Sequence, residues 1–417
     1  KFGGGVYGAP AASLVMRSSR LEANEAKEKG GATYADGADL RAENCLFTAN
    51  RSIQDGGALS GVLSGSPPAG SVSIVNCTLY GNDAEQGADC LAAGGCTAIV
   101  SNSICWASGS TPITGTSVAC SYSVVKDWTQ GGPGVTTNSP GLVPKSYLLL
   151  PTSPCIDAGR QNLLTVDLDG EARWDAPGVG TGIWDIGCDE YVDSDQDGLS
   201  DHWEREYTGS VTNLTGASDP DGDGLSASNE YYCGTSPVDA DTDGDGLTDS
   251  FEMTTDATNL YVTSALDKDT DGDGLYDGAE IAAGYDPTDP SSPTPGSDEA
   301  RAVALGCTVA ALADAITLPV EVGDASNSSS EWYVLYFYGP NGVYATASNA
   351  GCGDVATTPL SFVRGQKYDI VLNHVIGICD FDYTARVAGI GARTTAHDAS
   401  PPPSCYNPWQ QNPTYPC

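Results

Sequence analysis

One acidic phrase, written four times between Asp193 and Asp289, constrains this 417-residue chain more than any other feature. The copies begin at Asp193, Asp219, Asp241 and Asp269, and three of them read D-x-D-x-D-G-L-x-D-x-x-E without a break. These are Asp193, Asp195, Asp197, Leu199, Asp201 and Glu204; Asp241, Asp243, Asp245, Leu247, Asp249 and Glu252; and Asp269, Asp271, Asp273, Leu275, Asp277 and Glu280. The second copy, Asp219, Asp221, Asp223, Leu225 and Glu230, carries Ala227 where the others have a ninth-position aspartate. Carboxylates packed this closely repel one another unless a cation lies among them.

The spacing suits calcium, which takes roughly six to eight oxygen ligands about 2.3–2.6 Å away. Positions 1, 3 and 5 converge if the glycine at position 6 turns the chain sharply. The leucine at position 7 then offers its carbonyl, and the glutamate at position 12 closes the shell. All of the residues named above are candidate ligands, for three to four Ca2+ ions, with the second loop one ligand short. An acidic, solvated, disordered spacer is the alternative. Recurrence of glycine, leucine and glutamate at fixed offsets weighs against it.

A net charge of −37 makes nucleic acid and anionic membrane poor partners. No apolar run approaches the ~18–20 residues of a membrane span, so direct membrane insertion is not expected. The 14 cysteines include no C-x-x-C pair, which excludes the usual zinc spacings. An even count, beside loops suited to millimolar calcium, implies an oxidising extracellular or cell-surface setting with disulfides. No signal peptide is visible, which reads as a mature or trimmed chain.

The first half holds a weaker repeat. Segments 18–24, 44–50, 76–82 and 102–108 align on one another, as in Asn44-Cys45-Leu46-Phe47-Thr48-Ala49-Asn50 and Asn76-Cys77-Thr78-Leu79-Tyr80-Gly81-Asn82. Short alternating strands such as Ser71–Val75 precede them, and glycine-rich phrases follow the earlier ones. This period with short strands predicts a solenoid with ladders of Asn, Cys and small residues between coils. Helical repeats are disfavoured by glycine density and two-residue alternation. The half resembles the right-handed parallel β-helix of secreted pectate-lyase-like and bacterial surface proteins.

The stretch Ser153-Pro154-Cys155-Ile156-Asp157-Ala158-Gly159, then Asp167 to Arg173 and Asp185 to Tyr191, looks like the closing signature of such surface proteins. The two cysteines stand where that family commonly has alanine, which implies a Cys155–Cys188 disulfide; Cys45 and Cys77, on neighbouring coils, are a second candidate pair. Lyases on this scaffold need acidic ligands beside an Arg or Lys base. Arg17, Arg20, Arg41 and Arg51 have no acidic cluster in register, and His202, His374 and His397 form no triad, so no catalysis is expected. Lys1 to Val6 reads as the tail of a coil completed either by upstream residues or by a neighbouring subunit.

The expected organisation is all-β: a parallel β-helix over 1–190, a calcium-loop rod over 191–290, a Pro/Ser linker over 291–300 and an antiparallel β-sandwich over 301–395. A Pro-rich, Cys-containing tail occupies 396–417. Paired EF-hands would need longer helices, and the loops resemble thrombospondin type-3 repeats instead, which implies that calcium replaces a core there. Cys307, Cys352 and Cys379 are expected to staple the sandwich. N-glycosylation patterns occur at Asn50, Asn76, Asn213 and Asn327, of which Asn76 is the worst placed. Ser400 to Ser404 resembles the hydroxyproline-glycosylation motif of algal and plant wall glycoproteins.

Together these features predict a calcium-stabilised extracellular structural protein, part of a surface appendage, wall or filament, partnered by itself or by other structural proteins. A glycan-binding adhesin is the alternative, and a polysaccharide lyase a weaker third.

Overall fold

In the computed structural model, residues 4–62, 70–107, 109, 111–173, 184–254 and 261–306 are described, with the backbone of seven strands between 316 and 396 and Asn341. The chain divides into two units, Lys1–Val238 and Asp239–Cys417.

The aligned segments of the first unit stack as coils. The first coil holds β1 (Val6–Gly8), β2 (Ser13–Arg17), β3 (Arg20–Glu22) and β4 (Glu25–Ala26). The second holds β5 (Thr33–Asp36), β6 (Asp39–Glu43), β7 (Leu46–Thr48) and β8 (Arg51–Ser52). Next come β9 (Leu59–Val62), β10 (Ser71–Val75), β11 (Thr78–Tyr80) and β12 (Asp83–Ala84). The last two coils are β13 (Leu91–Ser101) with β14 (Ile104–Trp106), and β15 (Ile113–Ser121) with β16 (Val124–Val125). Each strand pairs in parallel with its counterpart one coil away, so that Ser13, Asp39, Ser71, Thr97 and Ser117 form one row. This arrangement fits a parallel β-helix. Alternation along the strands sends Met16, Ala42, Ile74, Val100 and Cys120 into the core.

The corners explain the asparagines and cysteines. Between the second and third strands each coil turns on one residue of positive φ: Ser18 (41°), Asn44 (50°), Asn76 (50°), Asn102 (46°) and Tyr122 (47°). Asparagine tolerates that conformation better than most side chains. The residue after it forms a ladder. Cys45 N–H donates to Cys77 Sγ (3.4 Å), Cys77 N–H to Ser103 Oγ (3.1 Å) and Ser103 N–H to Ser123 Oγ (3.1 Å). Thiol and hydroxyl do the same work, each also donating to the carbonyl two residues back. Cys45 and Cys77 are thus ladder rungs, not the disulfide the alignment suggested.

A second ladder runs through Asn24, Asn50 and Asn82. Asn50 Oδ1 accepts from Asn24 N–H and Nδ2 (both 3.0 Å), and Asn82 Oδ1 accepts from Asn50 N–H (3.0 Å) and Nδ2 (2.9 Å). Asn50 is fully buried, so its glycosylation pattern is structural; Asn76 is buried too, while Asn213 is exposed. Asn327 lies outside the described residues.

Residues 142–173 and 184–191 cover the outer face of the β3-β7-β11-β14-β16 sheet. Leu149, Cys155 and Ile186 pack on Ile104 and Val124. Val143, Tyr147, Leu148 and Cys188 pack on Leu46 in a separate cluster. The inferred Cys155–Cys188 disulfide is therefore not formed: each thiol is buried in its own apolar cluster. The signature's acids hold backbone. Asp185 accepts from the N–H groups of Asp157 (2.7 Å) and Tyr191 (2.8 Å), and Asp167 from those of Asp169 (3.0 Å) and Glu171 (2.8 Å). Arg173, fully buried, donates to Glu190 (3.2 Å) and to the Gly187 carbonyl (2.9 Å).

The chain is not purely β. Short helices follow the four acidic loops: α1 (Asp201–Thr208) and α2 (Ala227–Cys233) in the first unit, α3 (Asp249–Glu252) and α4 (Asp277–Ala283) in the second. The expected linker also ends in a helix, α5 (Asp298–Ala304), capped by Ser297 and burying Ala300, Ala302, Val303 and Ala304. Seven antiparallel strands follow: β17 (Ile316–Asp324), β18 (Trp332–Gly339), β19 (Gly342–Ser348), β20 (Val355–Phe362), β21 (Asp369–Ile376), β22 (Phe381–Val387) and β23 (Ile390–Ala396). They form a β20-β17-β22-β23 sheet and a β19-β18-β21 sheet. The packing that would make these a sandwich, the Cys307, Cys352 and Cys379 staples, His397 and the tail lie outside the described residues.

Candidate metal centres

Each loop is wound the same way. The first aspartate takes backbone donors: Gly198 N–H reaches Asp193 Oδ2 (3.0 Å), Gly246 N–H Asp241 Oδ2 (3.0 Å) and Gly274 N–H Asp269 Oδ2 (2.8 Å). The glycines at position 6 have φ of 92°, 105°, 99° and 98° in chain order. Position 4 turns as well, with Gln196 at 64° and Gly222, Gly244 and Gly272 at 77–80°. Position 5 accepts from the leucine N–H, as in Asp223 from Leu225 (2.7 Å). Ser200, Ser226 and Thr248 then cap the helices that follow, while Tyr276 leaves α4 without a side-chain cap.

These turns bring the acids together. Carboxylate oxygens of Asp193, Asp195 and Asp197 lie within 4.8 Å of one another, as do those of Asp219, Asp221 and Asp223, of Asp241, Asp243 and Asp245, and of Asp269, Asp271 and Asp273. The helix places the position-12 glutamates Glu204, Glu230, Glu252 and Glu280 at 0% exposure. Both carboxylate oxygens of Glu204 and Glu280, one of Glu252, and Oδ2 of Asp197, Asp221, Asp243 and Asp271 are buried with no hydrogen-bond partner. A desolvated carboxylate without donors is costly. A hard divalent cation satisfies several such oxygens at once, so the residues present fit calcium.

Burial, then repulsion from the aspartates of the same loop, pushes Glu204 and Glu252 up to about 8 and Glu280 to about 9. These values lie above the ordinary 4.5 of a glutamate. The metal-free fold is therefore favoured below pH ~4.5 and loses that contribution as pH rises through 8–9. Calcium takes the ionised form, so binding at pH 7 should release on the order of two to three protons per chain. Calorimetry in buffers of different ionisation enthalpy measures this, and release should vanish near pH ~10.

The ninth-position aspartates have a role that spacing alone did not reveal. Asp201 accepts from Ser194 N–H (2.7 Å) and Oγ (2.6 Å), Asp249 from Thr242 N–H (2.8 Å) and Oγ1 (2.7 Å), and Asp277 from Thr270 N–H (2.9 Å) and Oγ1 (2.6 Å). Each clamps position 2 of its own loop to the start of its helix. The second loop lacks both halves, with Pro220 at position 2 and Ala227 at position 9. Proline offers no N–H and alanine no acceptor, so nothing is left unsatisfied. Ala227 removes a clamp. The signal was the covariation of positions 2 and 9 among the four copies.

Surroundings divide the loops. In the first unit Leu199, Trp203, Leu214, Ala227 and Tyr231 share an apolar cluster with Leu46, Tyr147 and Cys188. Trp203 meets Tyr207 and Tyr231 edge-on at 5.1 Å each, and Tyr231 OH donates to the Leu149 carbonyl (2.8 Å). The third and fourth loops bury only Ala265 and Leu275 as apolar groups among their described residues.

The basic residues and His202 are engaged elsewhere. Arg17 and Arg41 pair with Glu43, Arg51 with Asp83 and Glu85, and Arg20 with Asp169 and Tyr147. His202 Nε2 lies 3.3 Å from Tyr147 OH.

Among the described residues no helix is long and apolar enough to cross a membrane. Comparison with curated proteins and with solved structures gives no match to the chain. The family described as the bacterial TSP3 repeat matches residues 241–258 and 269–290, the third and fourth loops, which supports reading these two loops as calcium-binding repeats.

Proposed function

We propose that this chain is a non-catalytic, calcium-stabilised structural protein of the extracellular space or cell surface, a subunit of an appendage, a wall or a filament. The observation that carries the reading is the set of four loops whose aspartates converge beside buried carboxylate oxygens, several of which have no hydrogen-bond partner. Metal bound there serves folding, because the loops have little else to hold them. The arginines a lyase would need as base are tied in ion pairs, which supports a structural role over catalysis.

Self-association, or assembly with other extracellular structural proteins, fits the edge of β15, which pairs with β13 alone among the described strands. Negative-stain microscopy of the full chain in calcium and in chelator tests this. Filaments or regular assemblies that disperse on chelation are expected. Dispersed monomers at high calcium would contradict the filament role, and retention on a glycan array would then favour the adhesin.

A further inference from the structure

We propose that a cavity of about 370 Å³ in the first unit is a binding site for a neutral glycan, held through its vicinal hydroxyls. The inference goes beyond the structural reading above and does not depend on assembly. The floor of the cavity is the outer face of β3 and β7, and its walls are the turn over 143–148 and the side of α1. Its volume falls within the roughly 300–1,000 Å³ of small-molecule sites. The apolar side chains at its base offer little surface: Leu46, Val143, Leu148 and Trp203 are 2–4% exposed, so an apolar ligand has almost nothing to cover. What the cavity presents is polar and balanced in charge, Arg20 and Lys145 standing against Glu22 and Glu206. In a chain of net charge −37, that local balance suits a ligand with donors and acceptors but no net charge.

Arg20 is held ready. Its guanidinium carbon lies 4.3 Å from the centroid of the Tyr147 ring, and Nη2 donates to Asp169 Oδ1 (2.7 Å) and to the Tyr147 hydroxyl. Tyr147 O–H donates in turn to Asp169 Oδ2 (2.8 Å), with His202 Nε2 3.3 Å away, so this hydroxyl serves to fix the arginine and has no proton left for a ligand. Nε and Nη1 of Arg20 donate to nothing among the described residues. Glu22 lies two residues on along the same face of β3, roughly 6–7 Å further. Its carboxylate makes no ion pair and no hydrogen bond among the described residues, and neither does that of Glu206, exposed on α1. One pre-set donor beside two open carboxylate acceptors matches a vicinal diol, in which each hydroxyl both donates and accepts. Because the arginine is already ordered, binding costs little further conformational freedom. Tyr207, half-buried, adds an aromatic wall against which a sugar ring can pack.

The test is an array of neutral oligosaccharides of glucose, galactose, mannose and N-acetylglucosamine, with uronate and sulfated ones beside them, probed with the full chain in saturating calcium. Calorimetry on the best-retained neutral oligosaccharide then gives the Kd of the unaltered chain and of Glu22→Ala, Glu206→Ala and Arg20→Ala. Each substitution should raise the Kd about tenfold or more, the scale of losing one charge-assisted hydrogen bond. Glu22 and Glu206 hold nothing in the fold, so their variants should keep the urea midpoint of the unaltered chain, whereas Arg20→Ala also loosens Tyr147 and Asp169 and is read only alongside them. Glu25→Ala, the same change at an exposed acid of β4 outside the cavity, should bind as the unaltered chain does. The proposal fails if no neutral glycan is retained, if only the acidic glycans are, or if Glu22→Ala and Glu206→Ala bind as tightly as the unaltered chain. Calcium-dependent filaments without glycan retention would leave the structural role standing and remove this site, and cavity-dependent retention without filaments would do the reverse.

Discussion

Chelating calcium should unfold the third and fourth loops and leave the first two standing, although the four phrases are nearly the same. The first two carry Leu199, Trp203, Ala227 and Tyr231 into a cluster with Leu46, Val143, Tyr147, Leu148 and Cys188. Each large side chain buried there contributes roughly 1.5–3 kcal/mol, with or without metal. The third and fourth loops have Ala265 and Leu275 and a set of mutually repelling acids. An ion at a hundred times its Kd stabilises the bound form by about 2.7 kcal/mol, so two ions outweigh what those two small apolar groups supply. Hydrogen exchange in chelator should show protection lost over α3 and α4 and retained over α1 and α2. Loss over all four helices together would show that the apolar cluster does not hold the first pair.

Trp203→Ala should be the most damaging single change in the first pair, costing about 3–5 kcal/mol. The indole is 3% exposed and makes edge contacts with Tyr207 from its own helix and Tyr231 from the next. Such aromatic pairs add about 0.5–1.5 kcal/mol each beyond the area they bury. With the indole gone, α1 retains one ion pair to a residue outside the helix, Arg205 to Glu171, beside the Arg205–Asp201 pair (2.8 Å) within it. Surface ion pairs of that kind are worth about 0–1 kcal/mol and cannot replace it. Urea unfolding in saturating calcium should show the first unit weakened, and chelation should then release the first two loops as well. A loss below about 1 kcal/mol would mean that the cluster repacks around the gap.

The coils and loops were legible because both depend on local chemistry that repeats. Asn44, Asn76 and Asn102 recur because the corner needs a positive φ, and Asp, Gly and Glu recur because a metal loop needs those oxygens on that turn. What spacing could not show was the partner of each group. Cys45 and Cys77 looked like a bridge, yet Ser103 and Ser123 occupy the same rung with a hydroxyl. Cys155 and Cys188 are close in the sequence signature but point into different apolar clusters. Asn50 matched a glycosylation pattern that its buried ladder overrides. Asp201, Asp249 and Asp277 read as equivalent ligands, whereas the fold gives all three a clamp and brings only Asp277 to a neighbouring loop. The helices were missed because four to eight residues are too short to show an apolar period; their signal was the Ser or Thr cap one residue before the ninth position.

The central claim is that the four acidic loops hold calcium, and counting ions tests it most directly. Calorimetric titration of the calcium-stripped full chain, with metal content of the dialysed protein measured in parallel, should give three to four saturable ions per chain and proton release at pH 7. Absence of saturable calcium binding, with the loops ordered in chelator, would contradict the account.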